Sequence, residues 1–99
     1  MIMKKITLLF FLLNVTFMLA QKEVSGTVKD KTGTPLPGVN VQEKGTKNGA
    51  STDMNGSYKL NVNEGATLVF SYVGFVTVTK SATTAVVDVD LEEEEGGKN

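Results

Sequence analysis

The groups able to do chemistry in this chain are carboxylates, hydroxyls and phenols, because its 99 residues include no His and no Cys. That removes the usual general base and thiol nucleophile, together with the imidazole and thiolate ligands of catalytic zinc. Ser25, Ser51, Ser57, Ser71 and Ser81 have no imidazole to activate them. Asp88 and Asp90 lie two apart, so a strand would place both on one face with roughly 6.5–7 Å between their Cα atoms. That face reads as solvent-exposed, and exposed acids have no apolar pocket to separate their pKa values as acid–base catalysis requires. The chain is therefore expected not to be an enzyme, and neither cofactor nor metal is expected.

Two further constellations are weaker than they look. Asp53-Met54-Asn55-Gly56 echoes the start of a calcium loop, but a full loop needs an oxygen ligand at its fifth position, Gly at the sixth and Glu at the twelfth. Counting from Asp53, those places hold Ser57, Tyr58 and Glu64; only fragments match, and a hairpin turn is the simpler reading. Tyr58, Phe70, Tyr72 and Phe75 could form a sugar-stacking platform. Most sit on strand faces shared with Leu or Val, so core packing is the better expectation.

The elements that must position these residues start after a leader. Residues 1–20 carry Lys4-Lys5, the largely apolar run Ile6 to Leu13 and a weaker stretch ending Met18-Leu19-Ala20, the three regions of a secretory signal. Cleavage is expected between Ala20 and Gln21. The apolar run is short of the ~20 residues of a spanning helix, and Asn14 and Thr16 interrupt it further, which disfavours an uncleaved anchor. No Cys is present for lipid attachment. From Gln21 onward eight lysines face eleven acids, a net charge of −3 that argues against nucleic acid. A domain this small, without disulfides, must rely on strand pairing.

From Val24 the chain alternates apolar and polar residues in short runs broken by Gly, Pro, Asn and Asp, the pattern of an all-β, seven-stranded antiparallel Greek-key β-sandwich of the immunoglobulin-like or transthyretin-like kind. Val24 to Lys29 is a half-buried strand closed by Asp30-Lys31-Thr32-Gly33, a type I turn with Gly33 left-handed. Pro35-Leu36-Pro37-Gly38 reads as an extended, unpaired crossover between sheets. Val39 and Val41 open the second strand, continuing toward Lys47 with Gly45 as a bulge or bend, and Asn48-Gly49 reads as a type I′ hairpin into a short strand, Ala50 to Thr52. Asp53 to Gly56 repeats the first turn. Tyr58 to Val62 alternates cleanly, Thr67 to Val73 reads as a strand covered on both faces, and Gly74 bends the chain before Phe75 to Lys80. Val86 to Leu91 is the last strand, its Asp88 and Asp90 blunting a sheet edge. The sandwich domain is expected over 21–91, with 92–99 an acidic, disordered tail.

V-S-G-T-V at 24 to 28, D-K-T-G-T-P-L-P-G-V-N-V at 30 to 41, K-G-T-K-N-G at 44 to 49, T-D-M-N-G-S-Y-K-L at 52 to 60 and G-A-T-L-V-F-S-Y-V-G-F at 65 to 75 together resemble the carboxypeptidase-regulatory-like, transthyretin-like domain. The resemblance is closest to the version at the N-terminus of SusC/RagA-type TonB-dependent outer membrane receptors of Bacteroidetes. It implies a domain that is not itself a peptidase, preceding a plug and a glycan- or peptide-importing barrel. The chain stops where the plug would begin, so a truncated receptor or a stand-alone domain is expected, without transport of its own. The resulting expectation is a non-catalytic accessory or interaction domain at the periplasmic face of the outer membrane. Its partners would be receptor components or TonB-system proteins, reached through an exposed sheet edge. A free secreted module binding carbohydrate or peptide through loops such as Gly45 to Gly49 is the alternative.

Overall fold

A computed structural model describes residues 21–95. Seven strands follow one another with no helix among the described residues: β1 (Gln21–Asp30), β2 (Asn40–Glu43), β3 (Gly49–Ser51), β4 (Ser57–Asn63), β5 (Thr67–Ser71), β6 (Val78–Ser81) and β7 (Val89–Leu91). They form two sheets, one ordered β4-β1-β7 and the other β3-β2-β5-β6. The chain therefore passes between sheets after β1, β3, β4 and β6, and the leader lies outside the described residues.

Period-two alternation decides what is inside. Val24 and Val28 of β1, Tyr58, Leu60 and Val62 of β4, and Val87, Val89 and Leu91 from one sheet meet Val41, Leu68 and Phe70 from the other, with Leu36, Val39 and Ala82 filling between. Burying each such large side chain contributes about 1.5–3 kcal/mol before entropy is counted. Tyr58 and Phe70 meet edge to face across the core, with centroids 5.5 Å apart.

The structure departs from the sequence reading in five places. First, β7 lies parallel to β1, Val28 opposite Val89, whereas every other pair is antiparallel. β7 arrives from the other sheet by a long connection, and only such a connection permits parallel pairing. Second, the chain after β2 turns at Gly45 (φ 81), where Thr46 N–H bonds to Glu43 C=O at 3.1 Å, and neither Asn48 nor Gly49 has positive φ. The type I′ hairpin is absent because the turn is complete before Asn48. Third, β5 ends at Ser71 and Val73 is 94% exposed, because Tyr72 to Phe75 forms a turn with Gly74 at φ 88. Fourth, the proline crossover is bonded: Leu36 N–H reaches Val28 C=O, and buried Thr52 donates its hydroxyl to Leu36 C=O while accepting Val39 N–H. Fifth, 92–94 is not loose; Val76 N–H bonds to Glu92 C=O and Glu94 N–H to Gly74 C=O.

The two aspartate turns share one construction. Asp30 Oδ1 accepts the N–H of Thr32 and Thr34, and Asp53 Oδ1 accepts those of Asn55 and Ser57. Gly33 (φ 90) and Gly56 (φ 75) take the left-handed position in each. They differ in surroundings. A Cβ on Gly33 would meet nothing within 4 Å, while one on Gly56 would lie 2.6 Å from Val28 O and 3.1 Å from Pro35 Cβ. Gly33→Ala should thus cost about 1 kcal/mol of backbone strain, and Gly56→Ala about 3 kcal/mol, from strain and collision together. Urea denaturation of the two variants checks this; equal losses would show that Gly56 is not closely packed.

Candidate functional site

The first candidate is the centre of the β4-β1-β7 sheet. Gly26 pairs with Tyr58 across β1 and β4, and a Cβ on Gly26 would fall 1.9 Å from Val87 O and 3.0 Å from Tyr58 Cε1. The missing side chain lets the phenol cross β1 and donate to Val87 O at 2.7 Å. With Val87 O so engaged, Thr27 N–H donates instead to Asp88 Oδ1 at 2.9 Å. Burial, and secondly the charge of Asp88, push the Tyr58 phenol up to about 12. Tyr58 is buried and its hydroxyl is satisfied within the sheet.

The second candidate is a cluster around Glu43, 5% exposed at the end of β2. Its Oε1 accepts Asn48 Nδ2 at 3.0 Å, and its Oε2 accepts the Asn63 N–H at 3.1 Å and Asn63 Nδ2 at 3.0 Å. Asn48 Nδ2 also donates to Asn61 O. The Asn48 amide first, then the Asn63 amides, hold the carboxyl below its ordinary 4.5. The cluster ties the β2–β3 loop to β4, and so one sheet to the other.

The other residues singled out from sequence do not converge on a site. Asp30, held below its ordinary range chiefly by the Thr32 hydroxyl, and Asp53 turn their carboxylates onto their own turns. Ala20 lies outside the described residues and Gln21 is the first residue of β1. Tyr58 and Phe70 are core; Tyr72 and Phe75, 5.6 Å apart, pack partly buried against it. Sequence reasoning passed over Glu43 and Gly26. The signal for Glu43 was its parity: it lies two residues from inward Val41, and an acid on the inward face needs partners. The signal for Gly26 was a glycine at an inward position between Val24 and Val28, which marks close approach by another group.

These features define a small β-sandwich whose buried and turn-forming polar side chains tie strands and turns together. Residues 24–96 match the CarboxypepD_reg-like domain, and the chain belongs to that family. It is 43% identical over 89 residues to the TonB-dependent receptor P39 of Formosa agariphila, covering 88% of this chain and 9% of that protein. It is 44% identical over 78 residues to receptor P3 of the same organism, covering 76% and 8%. With the TonB-dependent receptor SusC of Bacteroides thetaiotaomicron it shares 40% over 63 residues, covering 64% and 6%. The chain thus spans less than a tenth of these relatives. A chain of a crystallised type II cohesin–X-dockerin complex from Acetivibrio cellulolyticus shares the fold, with a TM-score of 0.55 and 23% identity over 70% of this chain and 52% of that one.

Both clusters make testable statements. Tyr58→Phe leaves Val87 C=O without its phenol partner and should cost about 1–3 kcal/mol. The raised phenol pKa means stability from this group is complete below about pH 10 and lost as pH rises toward about 12. Alkaline denaturation should be steeper in wild type than in the Phe variant. Glu43 has the opposite sign: its stabilisation is present above 4.5 and lost as pH falls through its lowered folded value. Melting temperature should drop in wild type as pH falls below about 4.5, starting from a higher value than Glu43→Gln and falling more steeply. Parallel curves would remove Glu43 from the account.

Proposed function

We propose that the chain is a non-catalytic accessory or interaction domain of the TonB-dependent receptor type, exported and acting at the periplasmic face of the outer membrane. The observation that carries this is the family match over 24–96 together with 43% identity to a receptor. The internal use of the Asp30, Glu43, Asp53 and Asp88 carboxylates supports a role without catalysis. The domain works by contact, either within a longer receptor or alone, and its partners are receptor components or TonB-system proteins.

A second reading keeps one specific observation. Asn40, Gln42, Lys47, Gly49 and Ser51 line an open polar trough of about 410 Å³ beside β2 and β3, which suits a neutral sugar or a peptide in a free binding module. Affinity capture with the exported chain from an outer-membrane and periplasmic extract separates the two. Recovery of a receptor barrel or TonB-type protein, identified by mass spectrometry, is expected. Recovery of the chain alone, with binding to a glycan array, would favour the second reading.

A further inference from the structure

Each sheet ends in two edge strands, β4 and β7 in one, β3 and β6 in the other. An edge presents backbone N–H and C=O groups that face away from its single partner, and an unmanaged edge pairs with other chains. Three of the four edges are managed in part, with outward backbone remaining at Lys59 of β4, Asp88 and Asp90 of β7, and Gly49 and Ser51 of β3. The Val28 N–H to Gly56 C=O bond sets the alternation along β1 and β4, so Ser57, Lys59, Asn61 and Asn63 turn their backbone groups outward. Asp53 then takes both groups of Ser57, Asn48 takes Asn61 C=O, and Glu43 takes Asn63 N–H. On β7, Glu92 C=O is bonded to Val76 and the acids Asp88 and Asp90 flank the rest. β3 is three residues long.

β6 is left open. The Ala82 N–H to Ala66 C=O bond fixes the alternation with β5, so Val78 and Lys80 bond inward and Thr79 and Ser81 direct their backbone groups away. Beside this edge runs a groove of about 490 Å³. Val76, Val78 and Lys80 line one wall, and Asp88, Asp90 and Glu92, with Lys31, the other. Val76 is 48% exposed. Lys31 sits 4.0 Å from Glu92 and Asp88 is bonded to Thr27, so Asp90 is the acid lining the groove that has no side-chain partner among the described residues.

We propose that the outward edge of β6 is a strand-addition site for an extended protein segment that alternates basic or β-branched residues with small polar ones. Thr79 and Ser81 supply the backbone bonds. On one side the added strand continues the uncharged outer face formed by Thr67, Val69, Thr79 and Ser81. On the other its lysines or arginines reach Asp90 and Asp88, and its β-branched residues cover Val76 and Val78. The acids of the groove outnumber its lysines, which selects a basic segment over an acidic one. This inference rests on the reading of the chain as an interaction domain and gives it a surface.

The test uses the exported chain, isotope-labelled, titrated with a capped synthetic peptide alternating Lys and Val with Thr, and with the same peptide carrying Glu for Lys. The Lys peptide should shift the Thr79 and Ser81 amides and slow their exchange, less so at high salt; the Glu peptide should not. Thr79→Pro removes an outward N–H that the β5 ladder does not use, so it should keep the fold and weaken binding about tenfold or more. Lys59→Pro on β4 should leave binding unchanged. Shifts centred on β3 or β4, equal binding of both peptides, or self-association through β6 without peptide binding would each overturn the proposal. Capture of receptor components by Thr79→Pro as well as by wild type would sink the β6 site and leave the accessory-domain reading standing. Peptide binding at β6 without capture would do the reverse.

Discussion

β7 can lie beside β1 only because position 26 carries no side chain. A Cβ there would fall 1.9 Å from Val87 O, a separation no packing adjustment accommodates while the backbones stay paired. The same absence opens the path by which Tyr58 crosses β1 to reach that oxygen, and the diversion of Val87 O is what leaves Thr27 N–H to Asp88. One hydrogen atom in place of a methyl group therefore lets β7 join the β4–β1 pair in a single sheet. An aromatic side chain laid over a cross-strand glycine also restores the apolar contact that glycine lacks. Tyr58 continues from this crossing to Phe70 on the facing sheet, so the link runs through the whole sandwich.

The rest of the stabilisation follows a consistent use of carboxylates. Asp30 and Asp53 fold their turns by accepting two backbone amides each, Asp88 replaces a missing ladder bond, and Glu43 accepts three hydrogen bonds from Asn48 and Asn63. Bonds of this charge-assisted kind are stronger than neutral ones. They matter more in a domain with no disulfide and a limited core. The cost of burying Glu43 is offset because its carboxylate accepts from both sides of the joint.

Strand number, order along the chain and the inward residues were legible, because period-two alternation and turn residues are local signals. Val24 and Val28, then Tyr58, Leu60 and Val62, are read directly from their spacing and are buried together. What local pattern could not supply was anything decided by a distant partner. The parallel sense of β7 depends on a pairing with β1 some sixty residues earlier in the chain. Asn48-Gly49 carries a strong hairpin signal, yet Gly45 turns the chain first and frees the Asn48 amide for Asn61 and Glu43 on other elements. Glu92 to Glu94 reads as solvated charge, but the two bonds that hold it come from Gly74 and Val76. The edge left open was illegible for the same reason, since managing an edge is a matter of which side chains arrive there from elsewhere.

The two flanks of the sandwich are therefore unequal for a physical reason. Between β3 and β4, Asp53 closes one end and the Glu43–Asn48 cluster the other, so neither a slipped register nor a foreign strand finds free backbone at those ends. Between β6 and β7 only the 74–76 and 92–94 segments are joined, and the acids on β7 keep that edge solvated. A domain with every edge open would aggregate, and one with every edge closed could associate only through faces and loops. An outward edge beside an acidic wall, as proposed for β6, would confine strand addition to one orientation and one charge class.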